Sequence, residues 1–314
     1  MHLPIARANG AVLQAASAVT KILTNDSGDL ATGVEYATAN GESNQLRADV
    51  VVLAAFAIQN PRLLLASATD KHAHGLANSS GLVGKTIMSH PAALVYGLFE
   101  EETRCYMGAT GGQFVNQDGY AKDTHSESGA FGSYQWMIAQ AMKPNDLLGI
   151  AMTRPDLIGA DLQGFMQRSA KHFASMTAVI EDLPVADNAV TLADQLDTNG
   201  VPLAKVTHTT HEKSKALWGA VLEEGKEVFA AAGASEIWTG PQAAMHIMGG
   251  TIMGDDPSTS VTNSYGQCHD IGNLVIAGPG LFPSSGGVNP TFTLHALTAR
   301  AADHLLERWG SMTA

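Results

Sequence analysis

The stretch that decides the fold runs from His246 to Leu305: HIMGGTIMGDDPSTSVTNSYGQCHDIGNLVIAGPGLFPSSGGVNPTFTLHALTARAADHL. Within it NLVIA, Asn273 to Ala277, reads as a short buried strand that stops at Gly278-Pro279-Gly280. A long helix begins only after Ser284-Ser285-Gly286-Gly287-Val288. Asn289 stands in its N-cap position and Pro290 at its first position, where a missing N–H costs nothing. Leu294, Leu297, Ala301 and Leu305 form its apolar stripe. A helix N-terminus, with free N–H groups and partial positive charge, is thereby aimed at whatever lies beyond the glycine loop. From Val50 to Ser67 the order strand, small-residue turn, helix gives a cofactor-lobe layout.

Working outward, residues 19–55 hold β-rich runs cut by turn residues, and read as a β-meander feeding a buried strand in RADVVVLAA. A helix over 57–67 follows despite Pro61. NSSGLVGKTIMSHP, ending at Pro91, is dense in turn residues and reads as a loop or a crossing between lobes. Residues 92–242 change texture: Gly-rich and aromatic stretches at 107–120 and 129–137, and a second meander over 173–209, predict a mainly antiparallel sheet. An amphipathic helix is expected over 213–232. The division expected is therefore 1–91, 92–242 and 243–314, the last returning to the first lobe.

Composition narrows the function classes. At 314 residues, with 45 % hydrophobic and 15 % charged, the chain is a folded protein with room for about two domains. Eighteen Lys and Arg against thirty Asp and Glu give a net charge of −12, which argues against nucleic acid or anionic lipid as a main partner. Cys105 and Cys268, outside any C-x-x-C, write neither a disulfide framework nor a zinc ribbon. The longest apolar run, Val50 to Ile58, is about half of what a membrane span needs. Arg7 before an Ala-rich stretch imitates a signal peptide, but Asn9, Gly10 and Gln14 break its apolar core, so the compartment stays open. His208 and His211 lack a third ligand and read as a surface pair; His269-Asp270 and Ser284-Ser285 read as loop residues, with no G-x-S-x-G elbow to favour a hydrolase. His295 and the methionines 245, 248 and 253 read as packing residues.

The segment 246–305, together with ADVVVLAAFAIQNPRLLLAS and NSSGLVGKTIMSHP in the right order, resembles the glucose-methanol-choline (GMC) flavoprotein oxidoreductases, nearest the bacterial polyol, sugar and gluconate dehydrogenase large subunits. The resemblance implies an α/β (α+β) fold, an incomplete Rossmann-like FAD-binding lobe plus a substrate domain whose antiparallel sheet is covered by helices. It implies FAD as cofactor and oxidation of a CH–OH group of an alcohol, sugar or polyol, with electrons passed to an unidentified acceptor. The positions matching the family's base and its partner are His246 and Asn289. A neutral imidazole accepts the hydroxyl proton as hydride leaves, while an amide holds the same oxygen without competing for the proton. By the same resemblance Val19 meets the adenine through its backbone, and Ala54 and Ala55 are the small pair beside the dinucleotide. Gly278 and Pro279 match the turn near the pyrophosphate, and Pro290 and Thr291, with Asn289, the helix start at the flavin. No metal is implied.

There are departures. No G-x-G-x-x-G occurs, and the resemblance places that fingerprint in an N-terminal segment this sequence lacks. Ile252 and Ala189 stand where the family usually has Arg. The expectation is a truncated fragment or one piece of a split enzyme. The alternative is a non-catalytic chain that needs an N-terminal partner chain or self-associates through the surface left uncovered.

Overall fold

A computed structural model describes residues 2–108, 114–120, 129–138 and 141–312. Part of the Gly-rich stretch 107–120 lies outside the described residues. After a short exposed helix α1 (His2–Ala8), three antiparallel strands β1 (Ser17–Thr24), β2 (Ala31–Thr38) and β3 (Ser43–Arg47) form one sheet. The run expected as one final strand is divided: β3 closes the meander, and β4 (Val51–Leu53) leaves it to pair elsewhere. The reason is Asn273, whose buried amide bonds the backbone of both Ala31 and Asp49 and draws the chain away from β2.

β4 pairs in parallel with β13 (Leu274–Ile276), more than 200 residues away. Helix α2 (Phe56–Ala66) leaves β4, and buried Asn60 accepts the Ala55 N–H at 2.7 Å, fixing the strand-to-helix turn. Ile22, Leu53, Leu64, Ile271, Leu274 and Ile276 make the core of this lobe. Each such side chain contributes roughly 1.5–3 kcal/mol through burial.

The second unit is a six-stranded antiparallel sheet of β5 (Met88–Leu98), β6 (Phe114–Asn116), β7 (Tyr134–Ile138), β8 (Phe173–Ile180), β11 (Glu236–Thr239) and β12 (Ala243–Met248). β5 is long enough to carry β12 along its first half and β11 along its second. It begins at Met88, so Met88 to Pro91 belong to the sheet and not to the expected loop. Pro91 is tolerated because pairing with β8 starts only at Ala92, leaving its nitrogen side without a ladder partner.

Helix α5 (Glu212–Ala231) covers one sheet face through Leu217, Val221 and Phe229 against Val95, Trp136 and Ile180. Helices α3 (Pro144–Ala151) and α4 (Gly159–His172) close the other around Tyr96, Phe165 and Phe173. The hairpin β9 (Ala189–Leu196) and β10 (Pro202–Thr207) does not extend β8 but forms its own pair, tied to α2 by Arg62.

Helix α6 (Thr291–Met312) starts one residue later than its sequence suggests: the Leu294 N–H bonds the Pro290 carbonyl, so Pro290 holds the cap position. The asparagine before it is released from capping. Of the expected stripe, Leu294 and Leu297 pack against Met88, Met248 and Phe282, Ala301 is buried and Leu305 half-buried. His295, expected to pack, is exposed.

Candidate active site

His246 lies on β12, whose pairing with β5 passes from Met245–His90 directly to Ile247–Ser89. His246 is therefore the extra residue of a β-bulge, at φ 52°, a strained conformation for a residue with a Cβ. The bulge takes its ring out of the strand's alternation and sets it edge-on to His90, with centroids 5.2 Å apart and planes at 81°. The two Nδ1 atoms are 3.0 Å apart.

Hydrogen-bond chemistry then fixes where the protons are. His90 is wholly buried, and its Nε2 faces the carbonyls of Gly286 at 2.8 Å and Ser285 at 3.3 Å. A carbonyl only accepts, so His90 carries its proton on Nε2 and presents a lone pair at Nδ1. His246 must donate to that lone pair from Nδ1, which leaves His246 Nε2 unprotonated and facing outward. Burial, and then the neighbouring His246, push the His90 pKa down to about 4 against the opposing pull of the Gly286 and Ser285 carbonyls and Asp182. Burial also lowers the pKa of His246. Both rings are neutral at neutral pH.

Asn289 places its Nδ2 3.5 Å from His246 Nε2. Gln135 on β7 donates from Nε2 to Asn289 Oδ1 at 2.7 Å, and Gln117 donates to Gln135 Oε1 at 3.1 Å. The gap between the Asn289 amide and His246 Nε2 has an N–H donor on one side and a lone pair on the other. That arrangement suits an oxygen that both accepts and donates a hydrogen bond. The loop carrying Asn289 is held by Ser285, whose buried Oγ accepts the Asp182 N–H at 2.8 Å and donates to the Asp182 carbonyl at 2.9 Å.

Of the remaining predicted positions, Ala54, Ala55, Gly278 and Pro279 follow the carboxyl ends of β4 and β13. Val19, Ala54 and Ala55 line one cavity of about 540 Å³, and the Ala277 N–H bonds the Leu53 carbonyl, setting Gly278 beside Ala54's strand end. Gly278 has φ 117°, which only glycine adopts without strain, and a short 3-10 turn over Pro279–Leu281 follows it. Ligands of open α/β sheets bind outside the carboxyl ends of parallel strands, and small side chains there let a dinucleotide reach the backbone. Pro290 is buried and Thr291 exposed at the start of α6.

The histidine pair 208/211 is not idle surface: His211 caps α5 by accepting the Lys213 N–H, and His208 faces buried Asp182 at 3.4 Å. His269 bonds Ser260 and Asp270 accepts from Ser79, both structural. Among the described residues no cluster of His, Cys, Asp or Glu is arranged to hold a metal. Among the described residues no helix is long and apolar enough to cross a membrane. Sequence reasoning missed His90 and Gln135. The sequence Ser89-His90-Pro91 hid the first in an apparent loop; a glutamine between Tyr134 and Trp136, polar in a buried strand, was the signal for the second.

Profiles of the GMC oxidoreductase family match residues 1–92 and 184–298. The chain is 34 % identical to a 2-methyl-1,2-propanediol dehydrogenase of Mycolicibacterium austroafricanum, over 99 % of this chain and 57 % of the relative. It is 31 % identical to the fructose dehydrogenase large subunit of Gluconobacter japonicus, over 92 % of this chain and 53 % of the relative. With a gluconate 2-dehydrogenase flavoprotein of Pantoea cypripedii the identity is 27 %, over 89 % and 48 %. The chain thus spans about half the length of the curated relatives it matches. Among solved structures, formate oxidase of Aspergillus oryzae RIB40 superposes with a TM-score of 0.68 at 13 % identity, covering 94 % of this chain and 61 % of that one. An FAD-dependent oxidoreductase of Chaetomium thermophilum gives 0.63 at 16 %, covering 98 % and 63 %. These likenesses share the α/β fold.

Proposed function

The chain belongs to the GMC oxidoreductase family, and on that premise we propose that it carries the proton-accepting half of an FAD-dependent oxidation of a CH–OH group in an alcohol, polyol or sugar. The observation that supports this reading most is the unprotonated His246 Nε2 opposite the Asn289 amide at 3.5 Å. His246 takes the hydroxyl proton at Nε2, and Asn289 holds the same oxygen through Nδ2–H as its charge grows. The His246 ring keeps its direction because its Nδ1–H is bound to His90, which the Gly286 carbonyl holds in turn. FAD, when bound, supplies the acceptor for the hydride leaving the carbon. Val19, Ala54, Ala55, Gly278 and Pro279 are the residues we assign to its dinucleotide, and Asn289, Pro290 and Thr291 to its flavin end. The cavity lined by Val19, Ala54 and Ala55 supports that assignment. The relatives named for a propanediol, fructose and gluconate support a hydroxylated substrate.

The experiment is turnover of the FAD-loaded enzyme with a panel of diols and sugars, before and after His246→Ala. A loss of roughly 10²-fold or more is expected. Unchanged turnover removes His246 from the role.

A second reading, completion by further polypeptide, is favoured by the β4–β13 pair. Among the described residues it is a two-stranded parallel sheet, three residues to a strand, with Val52 and Phe56 exposed. Parallel strands are ordinarily covered on both faces and flanked by others. On this reading the chain binds FAD only with a partner segment seated on that edge. A purified chain that shows no flavin absorbance with added FAD, and gains it with the partner, supports it; a chain that binds FAD alone refutes it.

A further inference from the structure

Asn289 is exposed at the end of a glycine-bearing loop, and its amide has two ends that differ in nothing but hydrogen-bonding sense. Nδ2 toward His246 gives a site with one donor and one base. Oδ1 toward His246 gives two acceptors, a pair that binds a hydroxyl only through competition for its single proton. Which end faces inward is therefore a chemical decision, and Asn289 itself does not make it.

We propose that Gln135 is the positioning residue that makes it: Gln135 holds the Asn289 carbonyl and so turns the N–H end toward His246 and the substrate oxygen. The proposal rests on the reading of His246 and Asn289 given above. Gln135 is 6 % exposed on β7, and both ends of its own amide are engaged. Its Oε1 accepts from Gln117 Nε2 at 3.1 Å, which obliges its Nε2–H to point the other way, to Asn289 Oδ1 at 2.7 Å. Gln117 stands just ahead of the 3-10 turn Asp118–Tyr120, and the Tyr120 N–H bonds its carbonyl. The direction of donation thus runs without reversal from Gln117 through Gln135 to Asn289 and on toward His246. From the other side the chain from the Gly286 carbonyl through His90 fixes His246 itself. The two chains meet at the gap where the oxygen sits. A buried glutamine between two aromatic residues, in a strand otherwise apolar on both faces, costs desolvation, and its bonds to Gln117 and Asn289 offset that cost.

Gln135→Glu tests this. It is isosteric and keeps an oxygen for Gln117, but it replaces the donor to Asn289 with an acceptor. Two oxygens at that separation repel, so the Asn289 amide turns over and presents Oδ1 to His246 Nε2. His90 keeps the Nδ1 proton of His246 in place, so the turned amide favours a second proton on Nε2. Of the titratable groups, His90 faces His246 directly and Asp182 acts on His90 from behind. In the full chain labelled with 15N-histidine, the titration of His246 is expected to move to higher pH in Q135E, and turnover of the FAD-loaded enzyme to fall about tenfold or more in kcat with its acid limb moved the same way.

A carboxylate near an imidazole raises its pKa by charge alone, so the same substitution is made on an Asn289→Ala background. With no amide to turn, Q135E is expected to move the His246 titration of that background only by what the charge contributes, less than it does with Asn289 present. A shift as large there as in the presence of Asn289, or no shift in the presence of Asn289, overturns the proposal. If Q135E does not fold, Gln135→Met carries the test without charge: the upward shift is smaller, depends on Asn289 in the same way, and its absence is equally fatal. The NMR readout needs no turnover. A His246→Ala enzyme that still works would remove the catalytic reading while leaving this result standing.

Discussion

His90 and His246 meet Nδ1 to Nδ1 at 3.0 Å, and only one of those atoms holds a proton. The Gly286 carbonyl, 2.8 Å from His90 Nε2, decides which. His90→Leu removes the acceptor and frees His246 to take either tautomer. We expect kcat of the FAD-loaded enzyme to fall roughly 10²-fold, with 15N spectra showing His246 Nε2 partly protonated at neutral pH. A single tautomer unchanged from wild type would sink this account.

The same pair makes stability depend on pH. His90 has its pKa pushed down to about 4 in the folded protein, against about 6.5 for a free imidazole. Between those values the unfolded chain takes up a proton that the folded chain refuses, so stability is full above pH 6.5 and is lost as pH falls toward 4. The loss from this group is about 3 kcal/mol. Denaturant titrations at several pH values should show that limb in wild type and a shallower one in His90→Leu.

Gly287 lies between the loop held by Ser285 and the Asn289 amide, and a Cβ there would collide with the Ser133 carbonyl. Gly287→Ala must push the loop off β7 or push Ser133 away. We expect a loss of about 1–3 kcal/mol in stability, and a rise in KM larger than that of a surface Gly→Ala variant such as Gly310→Ala. Melting temperature and steady-state kinetics measure the two effects.

Arg62 joins α2 to the β9–β10 hairpin: it reaches Asp197 at 2.6 Å and the carbonyls of Pro202 and Val201 at 2.6 and 3.1 Å. Its side chain is largely covered, so its loss strands three acceptors. Arg62→Ala should cost about 1–3 kcal/mol and raise hydrogen exchange over residues 189–207 before it does so elsewhere. Exchange rising uniformly would show that the hairpin is held by other contacts.

Much of this was legible in the chain. The NLVIA strand, the glycine turn and the helix after Asn289-Pro290 carry local signals strong enough to survive any packing, and β13 and α6 stand where they were expected. The antiparallel sheet was legible in the aromatic stretch that holds β7 and in the meander that opens with β8, and α5 in its helical stripe. Misreadings occurred where a distant residue overrides the local one. Met88 to Pro91 look like loop because proline and serine surround the histidine, yet β12 pairs with them across more than 150 residues. The strand expected through residue 55 is cut because Asn273 claims the backbone at Asp49.

The sequence by itself determined which chemical groups are present and part of the local structure that carries them: a histidine in the long C-terminal motif, an asparagine before a proline at a helix start, small residues at the strand ends. The tertiary structure alone decided where the protons are. His90 and His246 are 156 residues apart, the carbonyl that orders them is 196 residues from His90, and Gln135 and Asn289 are separated by 154. A hydrogen bond has a direction that depends on what lies opposite each atom in space. No local pattern encodes that direction, because each residue in the chain of bonds is polar in the same way whichever end it presents.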